Sequence, residues 1–116
     1  MSDNFPKLSV RIDFANGTRF GPGKAALLRQ LEATGSIKAA ANVLGMSYPR
    51  ALKLIEQMNR GFVSPLVATQ HGGAAGGGAL VTELGREILS IYDTVCAQSA
   101  KSQNEALAKL TTFIAE

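Results

Sequence analysis

Arg50, Lys53 and Gln57 are spaced i, i+3 and i+7, which puts them on one face of a helix. That face can do a particular chemistry. A guanidinium can bind the O6 and N7 edge of guanine through two hydrogen bonds, and a glutamine amide can pair the same way with adenine. Ser47 and Tyr48 lie just before Arg50 and bring hydroxyls that can hold phosphate oxygens. Lys38 and Arg60 flank the group with further positive charge.

Other chemistries find little material. There is one cysteine, Cys96, and one histidine, His71. A single cysteine forms no internal disulfide, which suits a reducing compartment. "IYDTVCAQ" is an apolar helical pattern, so Cys96 reads as core or interface packing, since a free thiol behaves as a small hydrophobe. One cysteine and one histidine make no structural zinc site, and no paired carboxylates or Ser-His-Asp grouping appears, so no enzyme, metal site or cofactor is expected. "HGGAAGGG" (residues 71–78) suggests a phosphate loop, but Gly78 is followed by Ala79 and not by the Lys-Ser/Thr that such a loop requires. His71 can touch a nucleic-acid backbone or simply be solvated. Tyr92 reads as core or dimer contact, not as a cofactor stacker.

The charge is uneven. Residues 1–81 hold nine Lys or Arg against four Asp or Glu, whereas residues 82–116 hold three against five. The basic part, joined to the helical face above, points to a polyanion partner. No apolar run reaches the roughly 18 residues needed to span a bilayer. "MSDNFPKLSV" lacks the apolar centre of a secretory signal, so a cytoplasmic protein without membrane attachment is expected. A length of 116 residues fits one domain, and no internal repeat is visible.

The elements that must position this face can be read in order. "LSVRIDF" (residues 8–14) alternates strictly, with Leu8, Val10, Ile12 and Phe14 on one side, which predicts a half-buried strand. Ala15-Asn16-Gly17 turns the chain, and Thr18 to Phe20 return. A first helix is expected from Pro22 or Gly23 to Thr34, buried through Leu27, Leu28 and Leu31 and stopped by Gly35. Ser36 should cap a second helix buried through Ile37, Ala40, Ala41 and Leu44, and Gly45 should close it. Met46 plugs the turn, Ser47 caps a third helix, and Ala51, Leu54, Ile55 and Met58 form its buried stripe. After Pro65 the chain is β-leaning, then comes the glycine tract, then "ALVT": a hairpin with a glycine tip, the form of a wing. Gln70 and His71 lie at its edge. Thr82 caps a last helix whose stripe Ile88, Ile91, Tyr92 and Val95 is expected to form a dimer interface. "QSAKSQNEA" should bend or break that helix before Leu107, Leu110, Phe113 and Ile114 resume an apolar face that needs a partner.

Two short helices joined by a glycine turn and followed by a glycine-tipped hairpin form a winged helix-turn-helix pattern. Ala41 lies four residues before Gly45, where helix packing demands a small side chain. The strings "TGSIKAAANVLGMSYPRALKLIEQMN" and "GGAAGGGALVTELGREILSIYD" resemble the N-terminal DNA-binding domain of ModE-type molybdate-responsive transcriptional regulators. The resemblance covers roughly residues 8–95, and a more distant one is to the DNA-binding domain of LysR-type regulators. It implies a mostly α fold with small β-hairpins, a winged helix-turn-helix with an N-terminal hairpin and a long C-terminal helix, and binding of palindromic operators as a homodimer. Residues 96–116 are then a helical extension that serves dimerisation. Full-length members carry molbindin-type domains that bind molybdate. No "SARN"-like segment marks one here, so molybdate binding by this chain is not expected.

The expected function is therefore sequence-specific binding of double-stranded DNA. Lys38, Arg50, Lys53 and Arg60 would act on bases and phosphates, with Ser36, Ser47, Tyr48, Gln57, Gln70 and His71 around them. The competing reading is a winged-helix adaptor that binds protein partners without specific DNA recognition.

Overall fold

A computed structural model describes residues 5–70 and 78–115. These form five helices and two small antiparallel hairpins, a mostly α architecture. His71 and most of the glycine tract lie outside the described residues.

The first hairpin is shorter than the sequence alternation predicts. Only Ile12–Asp13 (β1) pairs with Arg19–Phe20 (β2), in the register Ile12↔Phe20 and Asp13↔Arg19. The reason is the partner's length: Gly21 and Pro22 begin a helix directly after Phe20, so no strand remains to pair with residues before Ile12. Leu8 and Phe14 are accordingly exposed. Val10 is instead anchored by its carbonyl, which accepts the Tyr92 hydroxyl at 2.5 Å.

Helix α1 (Pro22–Thr34) buries Ala25, Leu27, Leu28 and Leu31 and has proline in its first turn, where a missing N–H costs nothing. Gly35 ends it in the left-handed region and returns its N–H to the Leu31 carbonyl. Ser36 then caps α2 (Ile37–Leu44) by accepting the Ala39 N–H at 3.1 Å. Ile37, Ala40 and Ala41 are buried, and the alanines let α1 and α3 approach closely. Gly45, with φ 67°, reverses the chain at a conformation that L side chains rarely adopt. Met46 donates its N–H to the Ala41 carbonyl, and Ser47 caps α3 (Tyr48–Gly61) by accepting the Arg50 N–H at 3.2 Å. Ala51, Leu54, Ile55 and Met58 are buried.

The second hairpin pairs β3 (Val67–Thr69) with β4 (Ala79–Val81) in the register Val67↔Val81. Asn59 locks it to α3: its amide nitrogen donates to the Val67 carbonyl, and its oxygen accepts the N–H groups of Leu66 and Val67. Thr82 caps α4 (Glu83–Ser102) by accepting the Gly85 N–H at 3.0 Å, while its hydroxyl donates to the Pro65 carbonyl at 2.8 Å. Gly85 sits so close to the Leu66 carbonyl that a Cβ would collide with it. Leu27, Leu28, Leu31, Met58, Leu66 and Val67 fill the centre, and Phe20 meets Tyr92 edge to face at 5.0 Å. The last helix breaks at Gln103, within the polar patch, and α5 (Asn104–Thr111) follows with no buried residue.

Candidate nucleic-acid interface

The buried stripe of α3 fixes what the opposite side presents. With Ala51, Leu54, Ile55 and Met58 turned into the core, Arg50, Lys53 and Arg60 are exposed and Gln57 is half-buried. Tyr48 is exposed beside the Ser47 cap. Among the described residues the ion pairs are Arg11–Asp13, Arg19–Asp13 and Arg29–Asp93. No described carboxylate is ion-paired with Arg50, Lys53, Arg60 or Lys38; Glu56, exposed one turn from Lys53 and Arg60, offsets part of their charge, and the face stays net positive for an outside anion.

Ser36 and Ser47 do two jobs. Each spends a hydroxyl lone pair on a helix N–H, at 3.1 Å and 3.2 Å. A hydroxyl that accepts still has its proton to donate. Each also marks the positive end of a helix, where a phosphate is favoured. Lys38 is exposed in the first turn of α2.

The second hairpin is held beside Ser36. The Ala79 N–H donates to the Gly35 carbonyl at 3.0 Å, and the Gln70 N–H to the Gly78 carbonyl at 2.8 Å. Gln70 is exposed just after β3, on a hairpin bonded to Gly35, the neighbour of Ser36. Among the described hydrogen bonds none links Gln70 to α3, and Arg50 with Lys53 and Gln57 forms a separate group.

Sequence reasoning missed a third group. Gln57 and Arg60 share an open hollow of about 470 Å³ with Asn16, Thr18, Arg19 and Lys24 from the first hairpin and the start of α1. It also missed Asn59, which ties the hairpin to α3. Neither has a local signal, because both depend on contacts between distant parts of the chain.

The expected dimer stripe divides. Ile91 is 54% exposed, and Ile88 and Val95 are half-buried. Tyr92 departs from the expectation: it is 5% exposed, packs on Phe20 and donates to Val10, so it serves the chain's own core. Around the remaining three lie two apolar hollows of about 350 and 200 Å³, which share Phe14, Phe62 and Ile88. Among the described residues no helix is long and apolar enough to cross a membrane.

With this geometry in hand, comparison with known proteins identifies relatives. MopB of Rhodobacter capsulatus, a molybdenum-pterin-binding protein, is 40% identical over 85 residues, 73% of this chain and 32% of MopB. ModE of Azotobacter vinelandii, a molybdenum transport protein, is 38% identical over 83 residues, 72% of this chain and 31% of that protein. ModE of Escherichia coli K12, a DNA-binding transcriptional dual regulator, is 33% identical over 81 residues, 70% of this chain and 31% of that protein. The chain is homologous to ModE and Mop proteins over about 70% of its length. It spans about a third of the length of these curated relatives. No protein-family model matches it. The names of these relatives describe regulators, transport and binding proteins, none of them an enzyme.

Proposed function

We propose that this chain is a sequence-specific DNA-binding transcriptional regulator of ModE type, built as a winged helix-turn-helix. Residues 8–95 are the DNA-binding module and residues 96–116 a helical extension. Helix α3 enters the major groove, with Arg50 and Gln57 on base edges and Lys53 and Arg60 on phosphates. Tyr48 and the hydroxyls of Ser36 and Ser47, together with Lys38, hold the backbone on either side. The β3–β4 hairpin is the wing, and Gln70 reaches the backbone from it. Two copies, joined through Ile88, Ile91 and Val95, read a palindromic operator.

One observation carries this reading: the exposed side of α3 sets Arg50, Lys53 and Arg60, with the Gln57 amide, against the one carboxylate of Glu56, and it is backed by a buried stripe. A net positive face of this kind suits a polyanion. The homology to a DNA-binding ModE protein supports the same conclusion. Selection of bound sites from random duplex DNA by the purified chain tests it. A two-fold symmetric motif is expected, and recovery of unenriched sequence would overturn specific recognition. Addition of molybdate to the isolated chain is expected to leave the selected motif and its affinity unchanged, which calorimetry and a repeat selection check.

A further inference from the structure

The hollow at the C-terminal end of α3 has three cations in its lining, Arg19, Lys24 and Arg60, and no carboxylate. Its walls come from segments more than thirty residues apart in sequence, and they are fastened together. The Asn16 amide and the Thr18 hydroxyl both donate to the Gly61 carbonyl, at 3.1 and 3.3 Å. The Lys24 ammonium donates to the Arg19 carbonyl at 2.6 Å, which fixes its place and leaves it further protons to donate. Burial and the nearby Arg19 charge both push Lys24 below the ordinary lysine range. Outside the lining, the Asp13 carboxylate lies 3.6 Å from Arg19 Nε and also binds Arg11, so it compensates Arg19 only in part.

Like charges gathered in a fixed concave site repel one another, and a shared anion removes that cost. Two guanidiniums, an ammonium and the Gln57 amide form a donor set suited to phosphate oxygens. Gln57 and Arg60 lie on the same arc of α3 as Arg50 and Lys53. At 1.5 Å of rise per residue, the hollow continues the proposed reading face by about 15 Å from Arg50. That carries it past the edge of a major groove about 12 Å wide, where the sugar-phosphate backbone runs.

We infer that this hollow clamps a backbone phosphate flanking the bases read by the start of α3, which makes Arg19 and Lys24 DNA-binding residues. The inference rests on the DNA-binding reading above and adds to it a contact blind to sequence. Titrations of the full chain with its selected operator, and with an unrelated duplex of equal length, test it across a range of salt. Arg19→Gln and Lys24→Gln should weaken both duplexes by the same factor. In a dimer, each should also make the log–log salt slope shallower by roughly two, one phosphate per copy. Arg19→Lys should keep the parent slope, as should the control Lys7→Gln on the exposed segment before β1, and circular dichroism should match the parent throughout.

Parent-like slopes in both Gln variants would overturn the clamp while leaving the DNA-binding reading intact. So would weakening of the operator alone, since that is base reading. If the parent binds neither duplex, both readings fall together. Inorganic phosphate added to the chain without DNA separates the sources. Saturating amide shifts at Gly17, Arg19 and Gly61 below millimolar phosphate would assign the hollow to a small anion and overturn the backbone contact. Absence of such shifts, with the shallower slopes, supports it.

Discussion

Arg50 stands in the first turn of α3, its backbone N–H held by Ser47 and its charge without a described carboxylate partner. In the proposed DNA complex, a guanidinium placed this way at the entering end of α3 would read a base. Arg50→Ala is therefore expected to cost about 1–3 kcal/mol of discrimination at one base position per half-site. Binding to specific and random duplexes measures this, and parent-like preference in the variant would show that α3 does not read the bases. Tyr92 makes the opposite use of a polar group, inside the fold. Burial, with Cys96 adding in the same direction, pushes its hydroxyl up to about 12 from an ordinary 10.0. The folded chain thus favours the protonated phenol. That contribution is complete below about pH 10 and is lost as pH rises through about 12. Tyr92→Phe should lower stability near neutral pH by about 1 kcal/mol, because the Val10 carbonyl loses its donor. It should also flatten the alkaline fall, so the unfolding midpoints of parent and variant should converge between pH 10 and 12; parallel curves would contradict the role of the phenol.

At the scale of elements, α4 depends on how closely it can approach the second hairpin. At Gly85 a Cβ would meet the Leu66 carbonyl, and Val81 Cγ1 at 2.7 Å, in the same turn where Thr82 caps the helix. Gly85→Ala is expected to destabilise by about 1–3 kcal/mol through overpacking. Gly23→Ala, in the first turn of α1 with open space around it, should be neutral or stabilising by up to about 1 kcal/mol. Urea unfolding of both separates close approach from helix propensity. The two glycines also show what the sequence could reveal. Helix starts and stops at Gly35, Ser36, Gly45, Ser47 and Thr82 were legible, because a cap is a bargain between a residue and its immediate neighbours. The stripe of α3 was legible because periodicity is local, and with it the face bearing Arg50, Lys53 and Gln57. The first strand was overread, since alternation states which side is apolar and says nothing of how long a partner lies beside it. Asn59 reads in sequence as an ordinary polar residue near a helix end. Its three bonds to the hairpin exist only once residues 66 and 67 have returned to it. Arg19 and Lys24 join Arg60 for the same reason: Asn16 and Thr18 must first find the Gly61 carbonyl.

The whole molecule extends 56 × 33 × 20 Å, and its radius of gyration of 16.7 Å exceeds the roughly 13 Å of a compact chain of this length. The excess matches its C-terminal end: α4 has no buried residue after Tyr92, and α5 has none at all. Leu110, Phe113 and Ile114 are more than half exposed, and so are Ile91 and Val63 near the paired apolar hollows. Scattered apolar residues need no explanation, but Ile88, Ile91 and Val95 along α4 line two apolar hollows, and that is a surface suited to another protein surface. A second copy is the partner that the proposed function requires. One recognition helix reads only a few base pairs, while two related by a two-fold axis and held about 34–36 Å apart read a palindrome. Ile91→Glu combined with Val95→Glu should therefore yield monomers, because carboxylates cannot be buried there without partners except at large cost. Neither side chain belongs to the buried core, so the variant should keep the parent's helical circular dichroism. It should still bind DNA without specificity through the α3 face, and lose most of its affinity for the two-fold operator. Sedimentation at micromolar concentration checks the first expectation and operator titration the second. A parent that sediments as a monomer would remove the two-fold arrangement, and a dimeric double variant would move the contact away from Ile91 and Val95.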